Sequence, residues 1–236
     1  TRVVTNTLQA RDDILRAYRA PPDRVRVVPL APADVFHERH APERLGEVRR
    51  RYAGADVPFF LYVGKLTARR NVPRLVEALA MMPGANGAPH HLVVVGLNTT
   101  GVDLIGLARS LGLEGRVRYY PYVPDEDLAP LYSAAEAFVL PYSYESAASL
   151  TLLEAQAAGT PVITAETVGL RQAAGGAALF IPDVAAPSIA AAMERLAGDQ
   201  GLRADLIARG RENAARYSWE RCSSEMLDIL HEAGRA

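Results

Sequence analysis

Residues 141–164 read PYSYESAASLTLLEAQAAGTPVIT. Just before them, AFVL at 137–140 is a short buried strand. Leu150, Leu153 and Ala157 recur at helical spacing, Gly159 stands where a helix C-cap belongs, and Pro161 bars continuation. Val162 and Ile163 open the next strand. Strand, loop, helix and strand in that order form a unit of parallel α/β sheet, in which ligands bind beyond the carboxyl ends of the strands. The helix points unpaired N–H groups and its positive dipole end at that loop. Ser146, Ser149 and Thr151 are small and polar, so an anion can come close. Glu154 lies about one turn further in; a carboxylate does not suit phosphate but suits two neighbouring hydroxyls. An anion and a diol held at one helix end point to a nucleotide sugar.

The chain has 236 residues, of which 49% are hydrophobic and 22% charged, as expected of an ordinary globular protein. A net charge of −1 argues against nucleic acid and against an anionic membrane surface. The single cysteine, Cys222, excludes an internal disulfide and points to a reducing, cytoplasmic setting. No apolar run has the roughly 20 residues of a membrane span, and the N-terminus lacks the apolar core of a signal peptide. The chain begins without Met, inside an apparent strand, so a fragment or an expressed domain is expected.

Outward from the central unit, strands alternate with helices. Strands are expected at 2–6, 25–29, 59–63 (FFLYV), 92–95 (LVVV), 117–120 and 178–181. Helices are expected after Thr7, at 43–52 as a basic, exposed element, and at 72–82 with Leu75, Val76, Leu79 and Met82 inward. Further helices are expected at 102–111, 125–133, 188–197, 202–217 and 219–232, with a turn or short helix at 169–174. An all-apolar strand such as LVVV fits a sheet covered on both faces. Together these predict a doubly wound parallel sheet, Rossmann-like, with helices on both faces. The whole of 1–236 reads as one domain. Residues 1–20 are expected to be a lead-in from a neighbouring domain, and 218–236 a terminal helix that packs back on it.

Several constellations carry candidate chemistry. Gly64 lets the chain turn after FFLYV, and Lys65 and Arg70 reach forward from the sheet edge, where two cations would balance a diphosphate. Glu145 reads equally as a functional loop carboxylate and as a rim residue answering the helix dipole. Tyr119, Tyr120 and Tyr122 could flank a base or serve as edge aromatics. His90 and His91, preceding a strand, read as solvated. No metal-ligand spacing occurs, and no cofactor or metal is expected. Neither GxGxxG nor GxxxxGK[ST] is present.

Four blocks in order, FLYVGKLTARRNVPRLVEAL, RVRYYPYVPDEDLAPLYSAAEAFVLP, YESAASLTLLEAQAAGTPVIT and ARGRENAARYSWERC, resemble the C-terminal domain of the family-four retaining glycosyltransferases. The resemblance runs from about Arg2 to the last helix. It implies one half of a two-domain glycosyltransferase of the GT-B fold, with a nucleotide-sugar donor bound in the interdomain cleft and a hexose-type sugar transferred with its configuration kept. By resemblance, Lys65 and Arg70 contact the diphosphate with Gly64, Leu150 and Thr151, and Glu154 holds the ribose. Glu145, Ser146, Ala147, Ala148 and Ser149 border the sugar, and Tyr122, Val123 and Leu128 border the base. Catalytic roles fall to Glu145, Lys65 and Arg70. The acceptor is brought by an N-terminal domain outside this sequence, and any peripheral membrane contact would run through that domain, so the isolated chain is expected to transfer nothing. Three departures stand out. The family's first glutamate lies eight positions before the second, which is Ser146 here, with Glu145 nine before. The family's loop glycines are Ala and Ser, and Gln172 replaces a downstream glutamate. A non-catalytic binding module with a drifted donor site is the alternative reading.

Overall fold

The computed structural model describes residues 2–82, 90–142 and 149–234. Six strands form one parallel sheet: β3 (Phe59–Val63), β4 (His91–Val95), β5 (Val117–Tyr120), β6 (Ala137–Leu140), β7 (Val162–Ala165) and β8 (Leu179–Ile181). Their order is β5-β4-β3-β6-β7-β8, with every neighbouring pair parallel. The two central strands, β3 and β6, carry FFLYV and AFVL. Phe59, Phe60, Leu61, Tyr62 and Phe138 are fully enclosed, as required of strands covered on both faces.

The helices fall into two packed layers. On one side α3 (Val72–Met81) packs against α4 (Leu104–Ser110) and α8 (Ala186–Gly198). On the other, α5 (Asp125–Ala134) and α6 (Leu150–Ala158) pack together, flanked by α2 (Pro42–Val48) and α9 (Gln200–Ala214). The short α7 (Val168–Ala173) follows β7. This is the doubly wound α/β architecture expected from the alternation of strands and helices.

A second, smaller sheet precedes the main one. β1 (Val3–Thr5) pairs in parallel with β2 (Val25–Val27) through the crossover helix α1 (Leu8–Tyr18), which buries none of its side chains. Val28 joins Cys222 and Ile229 of the terminal helix α10 (Trp219–Gly234) in a core separate from the main one. Val3, Val4, Leu8, Trp219, Leu227 and Leu230 remain exposed around it.

Three local expectations change. The basic segment 43–52 is not an exposed helix: α2 runs on as a π-helical turn, Arg49–Ala53, and Val48, Tyr52 and Ala53 are buried. Its inner face was hidden because the arginine run 49–51 separates Val48 from Tyr52 and Ala53, the residues that pack. The pair His90 and His91 is not solvated. His90 is 4% exposed and stacks on Phe60 at 5.2 Å, and His91 Nδ1 lies 2.7 Å from the Ala53 carbonyl. Burial lowers the pKa of both rings. α6 does not bury a single stripe; Leu152, Leu153, Ala155, Gln156, Ala157 and Ala158 are all buried, because β6, α5 and α9 enclose it. Its C-cap Gly159 adopts the left-handed conformation, φ 78°, as its position predicts.

Candidate functional site

The strand order reverses between β3 and β6. The chains leaving these two neighbours diverge to opposite sides of the sheet, which opens a crevice at their carboxyl ends. The loop after β3 is held from one side by the loop after β4. Gly64 N–H donates to the Val95 carbonyl at 2.9 Å, and Leu66 N–H to Leu97 at 2.8 Å. Thr99 returns its N–H and its hydroxyl to the Leu66 carbonyl at 3.2 and 2.8 Å. Gly64 and Gly96 make this approach possible. Both have positive φ, 149° and 134°, and a β-carbon on Gly96 would stand 2.2 Å from the Gly64 carbonyl oxygen.

A 3₁₀ turn, Ala68–Arg70, then folds Arg70 back over Gly64. A β-carbon on Gly64 would meet the Arg70 Nη1 at 2.5 Å and the hydroxyls of Tyr142 and Tyr62 at 3.4 Å each. The Arg70 guanidinium lies 4.9 Å from the centroid of the Tyr142 ring, a cation–π arrangement. Asn71 Nδ2 donates to the Pro141 carbonyl at 2.8 Å, tying the loop after β3 to the chain leaving β6. Lys65 is exposed beside them. Two cations therefore stand at the crevice, one half-buried and oriented by an aromatic face, the other free to swing.

α6 supplies the other wall. Its N-cap, Ser149, makes no side-chain capping bond to the first N–H groups of the helix. The Ser149 hydroxyl is 3.4 Å from that of Thr151, and Leu150 and Thr151 are half-buried. Glu154 is half-buried, and its Oε2 accepts a hydrogen bond from the Tyr132 hydroxyl at 3.0 Å. Burial pushes the Glu154 carboxyl above its ordinary value, and the Tyr132 hydrogen bond opposes that shift. A cation pair, the N-terminal backbone amides of α6 and a carboxylate one turn deeper can together receive a doubly charged anion that carries a diol.

The remaining predicted residues are distributed as follows. Glu145, Ser146, Ala147 and Ala148 lie outside the described residues. Tyr122 is exposed beyond β5, Leu128 is half-buried, and the Val123 side chain belongs to the core. Tyr120 is an edge aromatic: its ring packs edge-on against Tyr52 at 5.2 Å and its hydroxyl donates to the Tyr52 carbonyl at 3.2 Å. Gln172 lines a cavity of about 280 Å³ together with Ser149, Leu150, Asn6, Thr7 and Arg221. Among the described residues, no group of three or more His, Cys, Asp and Glu side chains is gathered as a metal site, and no helix is long and apolar enough to cross a membrane.

Sequence reasoning missed Tyr132, Tyr142 and Asn71, which hold the site residues rather than face the crevice. It also missed Asp127, a buried carboxylate that accepts from Tyr52 and pairs with Arg44 and, at 2.8 Å, with Arg51. Asp127 carries no signal by spacing, because its partners lie more than 70 residues upstream.

Residues 48–213 match the family model described as "Glycosyl transferases group 1". Among curated proteins, the chain is 31% identical over 220 residues to O-antigen chain mannosyltransferase B of Escherichia coli, covering 93% of this chain and 57% of that protein. It is 34% identical over 243 residues to the D-inositol 3-phosphate glycosyltransferase of Actinosynnema mirum, covering 98% and 57%. Among solved structures it is similar to Anabaena Alr3699/HepE in complex with UDP and glucose, with a TM-score of 0.85 at 17% identity, covering 98% of this chain and 63% of that one. The chain thus spans somewhat over half the length of these proteins.

Proposed function

Because the chain belongs to the group 1 glycosyl transferases, we propose that it is the donor-binding half of a retaining enzyme that moves a hexose-type sugar from a nucleotide diphosphate to an acceptor hydroxyl. The observation that carries this reading is Arg70, stacked on Tyr142 and folded over Gly64 at the switch point between β3 and β6. Lys65 and Arg70 take the diphosphate together with the backbone at Gly64, Leu150 and Thr151. Glu154 takes the ribose hydroxyls. The sugar lies toward Ser149 and the segment containing Glu145, Ser146, Ala147 and Ala148, and the base lies toward Tyr122 and Leu128. No metal is needed, since two side-chain cations stand where charge develops.

In the reaction, the bond between the sugar's anomeric carbon and the diphosphate oxygen breaks, and the acceptor oxygen bonds to that carbon from the same face. The electron pair of the broken bond stays on the diphosphate, whose departing oxygen takes the proton that the acceptor hydroxyl loses. Lys65 and Arg70 stabilise that charge as it grows, and a prepositioned cation costs no reorganisation at that moment. The acceptor comes from a second domain outside this chain. The small β1–β2 sheet, with Val3, Val4 and Leu8 exposed, and the outer face of α10 with Leu227 and Leu230 are the surfaces that domain would cover.

The test is to compare ligands that differ in one recognised group. Glu154→Ala should weaken binding of a ribonucleoside diphosphate more than that of inorganic pyrophosphate; equal losses would remove Glu154 as the ribose ligand. Gln172 sets an uncharged amide on the same cavity as Ser149 and Leu150. It favours the second reading, a domain that binds nucleotide without turnover. Sugar transfer by the full-length protein would exclude that reading.

A further inference from the structure

Glu154 is held by one side chain whose placement is more constrained than its own. The Tyr132 ring is fully buried; it packs edge-on against Phe36 at 5.5 Å and tilted against Phe138 at 5.2 Å. Its backbone is fixed as well: the Thr160 hydroxyl donates to the Tyr132 carbonyl at 2.6 Å, and the neighbouring Ser133 hydroxyl to the Ala158 carbonyl at 3.3 Å. Both links run between α5 and the end of α6, the helix that carries Glu154. The phenol is therefore locked relative to α6, and its one proton is aimed at Glu154 Oε2.

We propose that Tyr132 is the positioning residue that makes Glu154 a ribose receptor, by occupying one edge of its carboxylate and leaving the other oxygen to face the crevice. This rests on the reading of Glu154 as the ribose ligand. Two sugar hydroxyls need a partner that only accepts, and an ionised carboxylate is such a partner whereas a protonated acid is not. Burial disfavours the ionised form at this position, and the Tyr132 hydrogen bond restores part of it. The same bond removes rotamers in which the carboxylate would turn away from the crevice. Ribose preference should thus depend on a hydroxyl that never touches the ligand.

The test uses UDP, GDP and ADP, each beside its 2′,3′-dideoxy counterpart, titrated calorimetrically into the chain. The readout is the affinity ratio between the two sugars. In Tyr132→Phe that ratio should fall about ten-fold, the scale of one hydrogen bond to a charged group, while dideoxynucleotide and pyrophosphate binding stay as in the wild type. Replacing Tyr132 by p-methylphenylalanine, which refills the hydroxyl's volume, should give the same loss. Replacing it by p-aminophenylalanine, which restores a donor, should recover the preference. Tyr132→Phe in a Glu154→Gln background should change nothing further. A preference lost in Glu154→Gln but intact in Tyr132→Phe and in the p-methyl variant overturns the positioning role and leaves the ribose reading standing. Wild-type protein that binds none of the three nucleotides, both as this chain and at full length, or that binds both sugars alike, overturns both.

Discussion

Replacing Gly96 by alanine drives a methyl group into the carbonyl oxygen of Gly64. The new β-carbon would lie 2.2 Å from that oxygen and 2.7 Å from its carbon, whereas real β-carbons essentially never come within 3.0 Å of a neighbour. Both atoms are backbone, so the loops after β3 and β4 must separate by nearly an ångström. The conformation at φ 134° costs about 1–3 kcal/mol for a residue with a side chain. Separation also stretches the bonds from Gly64 to Val95 and from Leu66 to Leu97, worth about 0.5–1.5 kcal/mol each. Together these give a loss of about 2–6 kcal/mol, read as a shift in the urea midpoint followed by circular dichroism. Gly112→Ala is the control. Gly112 has φ 72° but nothing within 4 Å of its would-be β-carbon, so it carries the conformational cost alone. Equal losses in the two variants would refute the claim that backbone contact between these loops shapes the crevice.

Arg70→Ala should weaken nucleoside diphosphate binding by about 1–3 kcal/mol, the scale of a charge-assisted hydrogen bond, measured by calorimetry. Glu154→Gln should raise the urea midpoint at pH 7 while lowering affinity for a ribonucleotide. The folded-state pKa of Glu154 is raised, so its ionised form destabilises the fold above that pKa, and the penalty fades as pH falls; an unchanged midpoint would contradict this. Asp127 behaves oppositely. Burial alone would raise its pKa, but the hydrogen bonds from Tyr52 and Arg44, with the charges of Arg51 and Arg44, lower it below 3.8. The stability this contributes is present above the unfolded pKa of about 4 and is lost as pH falls through the folded one. Asp127→Ala should cost about 1.5–3 kcal/mol at pH 7, the scale of a hydrogen bond to a charged group, because it takes the acceptor from the buried Tyr52 hydroxyl while Arg44 and Arg51 keep access to water, and should remove part of the acid sensitivity expected below pH 4 in the wild type.

The sheet was readable because its central strands are apolar without alternation, a pattern that only a doubly covered parallel sheet explains. The turn at Gly64 and the C-cap at Gly159 were readable because glycine has a conformational reason to be there. Lys65, Arg70 and Glu154 could be singled out because each follows a recognisable strand or helix start by a fixed offset. What holds them could not. Tyr132 is 22 residues from Glu154, and Asn71 is 70 from the carbonyl it grips. These contacts form only once β3 and β6 lie side by side, which no local pattern encodes. The two histidines were misread for a related reason: polar character suggested solvent, but β4 begins at His91 and carries His90 under Phe60. The π-helical turn at Arg49–Ala53 was hidden likewise, since its arginines outweigh the buried Tyr52 and Ala53 in composition.

The measurement closest to the central claim is calorimetric titration of the chain with UDP, GDP, ADP and TDP, each beside its monophosphate, repeated with the full-length protein. The account predicts that one diphosphate binds, that its monophosphate binds more weakly, and that Lys65→Ala or Arg70→Ala removes the difference. Failure of every diphosphate to bind the folded chain and the full-length protein would contradict it, as would binding that ignores both cations.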